Sequence, residues 1–432
     1  MVAHFDKDNP LANEAFVSYK TWNVLSRLAS TPEMPNQKSD KAHSPNPRIW
    51  GLPKNIFFLG LTSLFNDFSS EMVYSVFPAF FTTVLKAGAE SLGLVDGIAE
   101  GLSNVFKIYS GNLSDRFQRR KPLVVAGYLL SVLTRPFYVL VSAVGGALGL
   151  RVLDRIGKGL RDSPRDAIIS LSTPKEELGR SFGYHRAMDT VGSILGPLVA
   201  YLILRFYPLH FNAVFLTAFV VGIITILTLF FISDVTLKLK KERATIWAAF
   251  ARLSPQFKLY ALSVFVLSVG SLPIAVLLLT TQSLGLIIAD IPLFYMVYNL
   301  SYAGFSMSAG KMSDKFGARV VMCLGYATLL IGYIFLNGAH SPWALAGGFF
   351  ILGLFPALTD GVERSLAAQL STEDLRGGAM GLLNAAVGLG ALTAGVGGGY
   401  LWQTAGPATA LLAGGGVVVV GLVLFLVFSA QH

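Results

Sequence analysis

The chain contains few charged residues and a single cysteine. Asp, Glu, Lys and Arg account for 14% of its 432 residues, whereas an average soluble domain carries about 25%. The one cysteine, Cys323, excludes a disulfide framework and any cysteine-based metal site. Because Cys323 lies in an apolar run, we interpret it as a small residue packed in the interior.

The strings that mark several enzyme and pump classes are missing as well. None of the six histidines lies in an H-E-x-x-H string, and there is no G-x-x-x-x-G-K-[ST] loop for nucleotide phosphates. The string Gly157-Lys-Gly159 is no substitute, because it lies inside an apolar stretch and lacks the first half of that loop. The sequence therefore predicts no enzyme, no metal site, no cofactor and no ATP-driven pump.

Apolar residues are abundant instead. They make up 53% of the chain, and the mean hydropathy is +0.58. Stretches of about 20 apolar residues, enough to cross a bilayer, follow one another from Ile56 to Phe428. The net charge of +9 does not indicate nucleic acid, because the bases fall in the short loops between these stretches. We predict an integral membrane protein surrounded by lipid.

The apolar stretches predict an all-α protein with twelve membrane-spanning helices. The predicted spans are residues 55–82, 91–110, 121–142, 145–166, 181–205, 211–232, 258–282, 289–309, 319–337, 342–363, 377–400 and 407–429. The charged segment 234–257 is predicted to be a cytoplasmic linker, which divides the chain into a first half, 53–233, and a second half, 258–432.

Residues 1–52 are predicted to form a cytoplasmic extension. Apolar residues at helical spacing from Leu11 to Leu25 predict an amphipathic helix on the membrane surface. The stretch 31–47, rich in Pro, Ser, Asn and Lys, is typical of a flexible linker. We do not predict a signal peptide, because no apolar core with a small-residue cleavage site precedes this linker. We favour an inert extension over a targeting or regulatory one.

The basic residues of the loops orient the protein. They concentrate in alternate loops, at Arg116, Arg119, Arg120, Lys121, Lys175, Arg180, Lys311, Lys315, Arg319 and Arg376. The intervening loops are nearly free of bases, with Lys86 and Arg205 as the main exceptions. Because basic loops stay in the cytoplasm, both termini are predicted to be cytoplasmic.

The two halves carry similar strings at matching places. Gly111-Asn-Leu-Ser-Asp-Arg-Phe117 follows the second span, and Gly310-Lys-Met-Ser-Asp-Lys-Phe316 follows the eighth. A repeated half with a cavity at the repeat interface is the architecture of secondary transporters.

The string Gly111-Asn-Leu-Ser-Asp-Arg-Phe-Gln-Arg-Arg-Lys121 resembles the signature loop of the major facilitator superfamily. The resemblance implies a monomeric transporter of the bacterial inner membrane that works by alternating access. It also implies that the Asp and Arg of this loop form a conformational latch between helix ends. We call the following the latch residues: Gly111, Asp115, Arg116, Arg120 and, in the second copy, Gly310 and Asp314.

Two weaker strings resemble the drug–proton antiporter branches of this superfamily. Arg155-Ile-Gly-Lys-Gly159 is similar to Arg-x-x-Gln-Gly, with Lys158 in place of Gln. Gly192-Ser-Ile-Leu-Gly-Pro197 is similar to Gly-x-x-x-Gly-Pro, although Ala200 and Tyr201 replace the glycines expected after it. Close helix packing through Gly192, Gly196 and Pro197 explains the second string equally well.

Ionisable residues at membrane depth are costly and usually face a functional cavity. The predicted proton-coupling and substrate residues are Asp67, Glu71, Asp96, Glu100, Arg135, Arg151, Asp154, Arg155, Arg186 and Asp189. Glu71 or Asp67 near Arg155 is our first choice for a proton switch, and Asp189 is the second. Some pairs, such as Asp154 with Arg151, have a purely structural explanation.

The second half supplies a plainer wall. Its predicted members are Gln282, Tyr295, Tyr298, Asn299, Tyr302 and Asn384. An aromatic, amide-lined wall opposite a charged one suits an amphiphilic organic solute with a polar or anionic group.

The function predicted is secondary active transport of a small organic solute, as efflux driven by the proton gradient. Two alternatives stay open. One is proton-coupled uptake of a small anionic metabolite, and the other is a non-transporting sensor on a transporter scaffold.

Overall fold

The computed structural model describes residues 48–430 except 118, 175–176, 236–251 and 373–374. The predicted amphipathic helix of the N-terminal extension and most of the predicted linker lie outside these residues.

The described residues form twelve helices of 16 to 30 residues. The first six are α1 (Lys54–Thr83), α2 (Ala89–Phe117), α3 (Lys121–Phe137), α4 (Val144–Leu171), α5 (Leu178–Phe206) and α6 (Phe211–Leu229). The last six are α7 (Pro255–Gly270), α8 (Ile291–Phe316), α9 (Ala318–Asn337), α10 (Pro342–Gln369), α11 (Arg376–Ala405) and α12 (Pro407–Ala430). A 3₁₀ turn, Tyr138–Leu140, extends α3.

Eight of these helices are long and apolar enough to cross a membrane, judged over the described residues alone. The other four, α1, α2, α4 and α8, are as long but more polar. Three of the four carry seven of the ten predicted intramembrane charges, because residues that face a cavity need not be apolar.

The seventh predicted span is broken in the structure. We predicted one helix over 258–282, but α7 ends at Gly270 and two short turns follow, Ile274–Leu277 and Thr280–Ser283. Pro273 has no N–H to donate and so removes one helical hydrogen bond at this point. The Tyr333 hydroxyl of α9 compensates at the break. It accepts from the Leu272 N–H at 2.7 Å and donates to the Gly270 carbonyl at 3.0 Å.

One small hairpin departs from the all-helical prediction. Strands β1 (Arg48–Ile49) and β2 (Leu52–Pro53) pair antiparallel ahead of α1. The turn between them, Trp50–Gly51, has positive φ at both residues, 52° and 76°. Such a turn matches the twist of a two-residue hairpin. Arg48 ties the hairpin to Glu177 at 2.9 Å.

The helix bundle has two ends that are used as reference points below. At the end where α1 begins, which we call the basic end, Asp234 accepts from the backbone N–H groups of Arg120 and Lys121, both at 3.1 Å. A carboxylate at a helix N-terminus is favourable, so Asp234 stabilises the start of α3. At the opposite end, Gln282 donates to Thr82 at 2.8 Å.

The first six and last six helices meet along α2 and α11. A Cβ added at Gly399 would lie 2.6 Å from the carbonyl oxygen of Ala89, and side chains at Gly93 or Gly395 would strike the other backbone. Small residues thus let the two helices approach closely. Gln403 completes this contact by accepting from the Ala89 N–H at 3.0 Å.

Candidate functional site

A cavity of about 220 Å³ lies between the two sets of six helices. On the side of the first set it is lined by Tyr74, Asp96 and Glu100. On the side of the last set its wall is aromatic and aliphatic, and includes Leu272, Tyr298, Leu329, Leu352 and Phe355. The two carboxylates therefore face a largely apolar wall.

Arg151 and Asp96 form a buried ion pair at the wall of the cavity. The Arg151 guanidinium lies 2.8 Å from Asp96 and 3.7 Å from Asp154. The Tyr74 hydroxyl donates to the other Asp96 oxygen at 2.9 Å, and its ring lies 4.2 Å from the Arg151 guanidinium carbon. These contacts fix Arg151 through hydrogen bonds and a cation–π interaction.

Arg155 and Glu100 form the second pair, and this one reaches the cavity. Their closest atoms, Arg155 Nε and Glu100 Oε1, lie 2.9 Å apart, and 32% of the Glu100 side chain is exposed. Arg155 follows Arg151 by about one turn of α4, so the two pairs are stacked along that helix. Water or a solute in the cavity has access to Glu100.

The structure differs from the prediction that Asp67 or Glu71 pairs with Arg155. Glu71 accepts from the Tyr295 hydroxyl of α8 at 2.6 Å, and Asp67 accepts from Asn66 at 3.0 Å. The sequence could show that Asp67 and Glu71 share a face of α1, but it could not show which neighbour that face meets.

Asp189 lies on α5 beside α1. Its carboxylate accepts a hydrogen bond from Ser63 and lies 3.4 Å from His185 Nδ1. Two glycines make this approach possible, because a Cβ at Gly196 would lie 2.6 Å from the carbonyl oxygen of Phe68 and one at Gly192 would strike Leu64. Pro197 lies in the same helix, next to this contact.

Arg186, Tyr302 and Asp360 connect the two sets of helices. The Arg186 guanidinium of α5 lies 4.6 Å from the centre of the Tyr302 ring of α8. The Tyr302 hydroxyl donates to Asp360 of α10 at 2.7 Å. Arg186 and Asp360 are exposed and Tyr302 is half-buried, although all three lie at the contact between the sets. Solvent therefore enters this contact from the basic end.

Arg135 lies apart from the cavity. It is buried among α1, α3 and α6, donates to Asn66 at 3.0 Å, and lies against Gly222. Arg135 is therefore held by α1 and α6 and is a member of neither ion pair.

The predicted wall of the last six helices is only partly at the cavity. Tyr298 lines it, and Tyr295 stacks on Tyr298 at 5.9 Å between ring centres. Asn299 is buried and donates to the Ser193 carbonyl at 3.2 Å, while Asn384 is half-buried on α11. Gln282 is not among the residues that line this cavity, and it hydrogen-bonds Thr82 at the opposite end. The wall is thus apolar and aromatic, not amide-lined.

The latch residues can be placed only in part. Arg120 is buried and donates to the Val235 carbonyl at 3.0 Å. Gly310 and Asp314 are exposed near the end of α8. The side chains of Asp115 and Arg116, and Gly111, lie outside those that the structure describes.

Tyr74 is a site residue that our sequence analysis missed. Tyr74 lies on α1, three residues after Glu71 and seven residues after Asp67, so all three share one helical face. That spacing was a usable signal. An aromatic residue in an apolar helix attracts no attention by itself, however, because most such residues only pack.

Comparisons with known proteins agree on one family. The sequence model described as Major Facilitator Superfamily matches residues 59–272 and 259–431. An uncharacterized MFS-type transporter of Methanocaldococcus jannaschii is 35% identical over 87% of this chain and 95% of its own length. The multidrug resistance protein MdtH of Photorhabdus laumondii is 25% identical, over 81% of this chain and 86% of its own.

The fold is also similar to that of solved transporters. The crystal structure of the nucleoside transporter NupG superimposes with a TM-score of 0.72, covering 86% of this chain and 98% of that one at 14% identity. At this identity the likeness concerns the fold alone.

Proposed function

Because this chain belongs to the major facilitator superfamily and is a transporter of that type, we propose that it exports a small organic solute in exchange for protons. The exchange is secondary active transport by alternating access, with the proton gradient as driving force. The multidrug resistance protein among the relatives supports efflux. We further infer twelve spans in two halves, a bacterial inner-membrane location, a monomer, and a basic end that faces the cytoplasm.

The observation that carries this proposal is the Arg155–Glu100 pair at the wall of the central cavity. An intramembrane ion pair with solvent access can exchange a proton, whereas the deeper Arg151–Asp96 pair is shielded by Tyr74. Protonation of Glu100 removes the charge that holds Arg155. The freed guanidinium then changes both the affinity for solute and the preferred conformation.

Proton-coupled uptake of a small anionic metabolite is the second candidate. The observation that favours it is the same pair, because an anion and the Glu100 carboxylate would compete for Arg155. Protonation of Glu100 would then promote solute binding, and proton and solute would move in the same direction. A non-transporting sensor would bind solute without either flux.

The test is transport in proteoliposomes that contain the full chain and a trapped pH dye. Small organic ions are added to one side at a fixed pH gradient, and internal pH and labelled solute are followed together. Export by exchange predicts that solute and protons move in opposite directions. Movement in the same direction would replace it with uptake, and binding without flux would replace it with the sensor.

Glu100→Gln is the informative variant, because the amide keeps the size but cannot release a proton. We expect it to abolish solute-driven proton movement while solute still stabilises the protein against heat. Glu90→Gln, on an exposed position of the same helix, is the matched control and should behave as wild type. Unchanged proton movement in Glu100→Gln would remove Glu100 from the coupling step.

A further inference from the structure

The carboxylates within the bundle are already supplied with partners. Asp96 has Arg151 and Tyr74, Glu100 has Arg155, and Glu71 has Tyr295. The others with a donor or cation are Asp67 with Asn66, Asp154 with Arg151, Asp162 with Arg165, Asp189 with Ser63, Asp360 with Tyr302 and Glu363 with Tyr326. These carboxylates therefore already accept a hydrogen bond or face a cation.

Several cations differ from this pattern. Within the part of the chain that the structure describes, Arg135, Arg161, Lys158 and Arg186 have no carboxylate within 4.0 Å. Arg135 and Arg161 are buried and donate to Asn66 and Ser131, whereas Lys158 and Arg186 are more accessible. Lys158 follows Arg155 by three residues on α4, is half-buried, and acts electrostatically on Glu100 and Asp67. Arg186 is exposed on α5 with one guanidinium face against the Tyr302 ring.

Unused donors at membrane depth indicate the chemistry of the missing partner. A lysine ammonium has three N–H donors and an arginine guanidinium has five, and none of them can accept a hydrogen bond. Cations in such a setting are stabilised by an acceptor, preferably a charged one. The apolar wall formed by Leu272, Leu352 and Phe355 suits the remainder of the solute.

We propose that the transported solute is an amphiphilic organic anion, whose charged group binds Lys158 and Arg186 and whose apolar body lies against Tyr298 and Phe355. This assignment rests on the proposed transport function and specifies its solute. Solvent enters from the basic end past Arg186, so the solute meets these cations before it reaches the cavity. Opposite charge along an entry path raises the local concentration of the ligand.

A lipophilic cation is the contrary possibility. At the two carboxylates that line the cavity, it would have to displace Arg155 from Glu100 or Arg151 from Asp96. Each displacement leaves a buried guanidinium without its counter-charge. It would also bring a further positive charge near Lys158. An anion needs neither change, because the donors that it uses are free of carboxylates.

The experiment compares probes that share one ring system and differ in charge. Naphthalene-2-carboxylate and naphthalene-2-sulfonate are matched with 2-naphthylmethylammonium. Binding to the purified full chain is measured by thermal stabilisation and by calorimetry, for wild type, Lys158→Gln and Arg186→Gln. Arg205→Gln, an exposed position at the opposite end, is the control.

We expect both anions to bind wild type and the control, and the ammonium to bind at least about tenfold more weakly. In Lys158→Gln and in Arg186→Gln the anion dissociation constant should rise about tenfold, as for loss of one charge-assisted contact. Preference for the ammonium would overturn the proposal. So would failure of both anions to bind, or an unchanged anion affinity in both variants.

The two proposals fail differently. If the anions bind as expected but the proteoliposomes show no flux, the solute class holds and the transport function fails. If neutral or cationic solutes are carried and the anions do not compete with them, transport holds and the solute class fails.

Discussion

At the scale of single residues, Arg151 is a charge held by several buried partners. Its partners Asp96 and Tyr74 are buried, and the Arg151 side chain is only 6% exposed. Removing one member of a buried ion pair leaves the other without compensation, whereas replacing both by apolar residues is often tolerated.

This asymmetry gives the first prediction. Asp96→Ala should lower the free energy of unfolding by about 3–5 kcal/mol, because Arg151 then stays buried and unpaired. Adding Arg151→Met should recover much of that loss. Thermal unfolding in detergent measures both, with Glu90→Gln as a surface control. A double variant less stable than Asp96→Ala would contradict this account of the pair.

The second prediction concerns Glu71 and Tyr295, which join α1 to α8. A hydrogen bond to a carboxylate is worth about 1.5–3 kcal/mol. Its loss should favour separation of the two helices. Tyr295→Phe and Glu71→Gln should each shift the conformational equilibrium measured by distances between spin labels, and the double variant should shift it no further. Additive shifts would mean that the two side chains act independently.

The identities of the charged residues could be predicted from the sequence, but their partners could not. Polar residues in apolar helices are conspicuous because burial is costly, which singled out Asp96, Glu100 and Arg155. Partnership depends on how helices rotate and cross, and neighbouring carboxylates such as Glu71 and Glu100 are equivalent until that is known. Arg155 accordingly met Glu100 where we predicted Glu71 or Asp67.

At the scale of the element, the break after α7 is an unusual piece of backbone. Tyr333 satisfies both the Leu272 N–H and the Gly270 carbonyl there, and all of these groups are buried. An unpaired backbone group in a membrane interior costs several kcal/mol. The tyrosine hydroxyl therefore replaces the helical hydrogen bonds that are missing at the break before Pro273.

Tyr333→Phe therefore has a predictable effect. Loss of the hydroxyl leaves one donor and one acceptor unpaired, which should cost about 1–3 kcal/mol of unfolding free energy for each group. Tyr207→Phe, on an exposed tyrosine, is the matched control and should unfold like wild type. Equal stability of the two variants would mean that water or another group pairs with the break.

Hydropathy predicted where the helices begin and end far better than it predicted this break. Predicted and observed bounds of α6 share the start at Phe211, and those of α9 differ by one residue at the start. Apolar composition and flanking polar residues mark where a helix leaves the membrane. Pro273 was hidden, because proline within an apolar run is tolerated in membrane helices and changes hydropathy little.

At the scale of the whole molecule, the two sets of helices are hydrogen-bonded to each other at one end, whereas charged groups at their contact are exposed toward the other. Thr82 and Gln282 meet at the opposite end, and Arg186 and Asp360 are exposed toward the basic end. Alternating access requires that the first contact break during the cycle.

This leads to the fourth prediction. In a Cys323→Ser background, Thr82→Cys with Gln282→Cys should be joined by a short thiol cross-linker, and solute flux should then stop. Reduction of a cleavable linker should restore flux. Each single cysteine variant treated with the same reagent is the control. Full flux in the cross-linked protein would show that the opposite end need not separate.

The family could be predicted from the sequence, whereas the conformation could not. Basic loops and a repeated string are one-dimensional signals, and they indicated the family before any coordinates did. Which end is closed depends on a small free-energy difference between two packings of the same helices. The sequence and its hydropathy are the same in both packings, so the residues around Thr82 and Tyr302 do not indicate which packing the protein adopts.

The glycine contact between α2 and α11 also has a mechanical consequence. It runs from Ala89 to Gly101 and so lies nearer one end of α2 than the other. With Gly101 as a fulcrum, the arm to Phe117 is about 24 Å long and the arm to Ala89 about 18 Å, at a rise of about 1.5 Å per residue. A rotation of about 10° displaces the far arm by about 4 Å and the near arm by about 3 Å. The helix therefore acts as an unequal lever, and the aperture at the opposite end should be the narrower of the two.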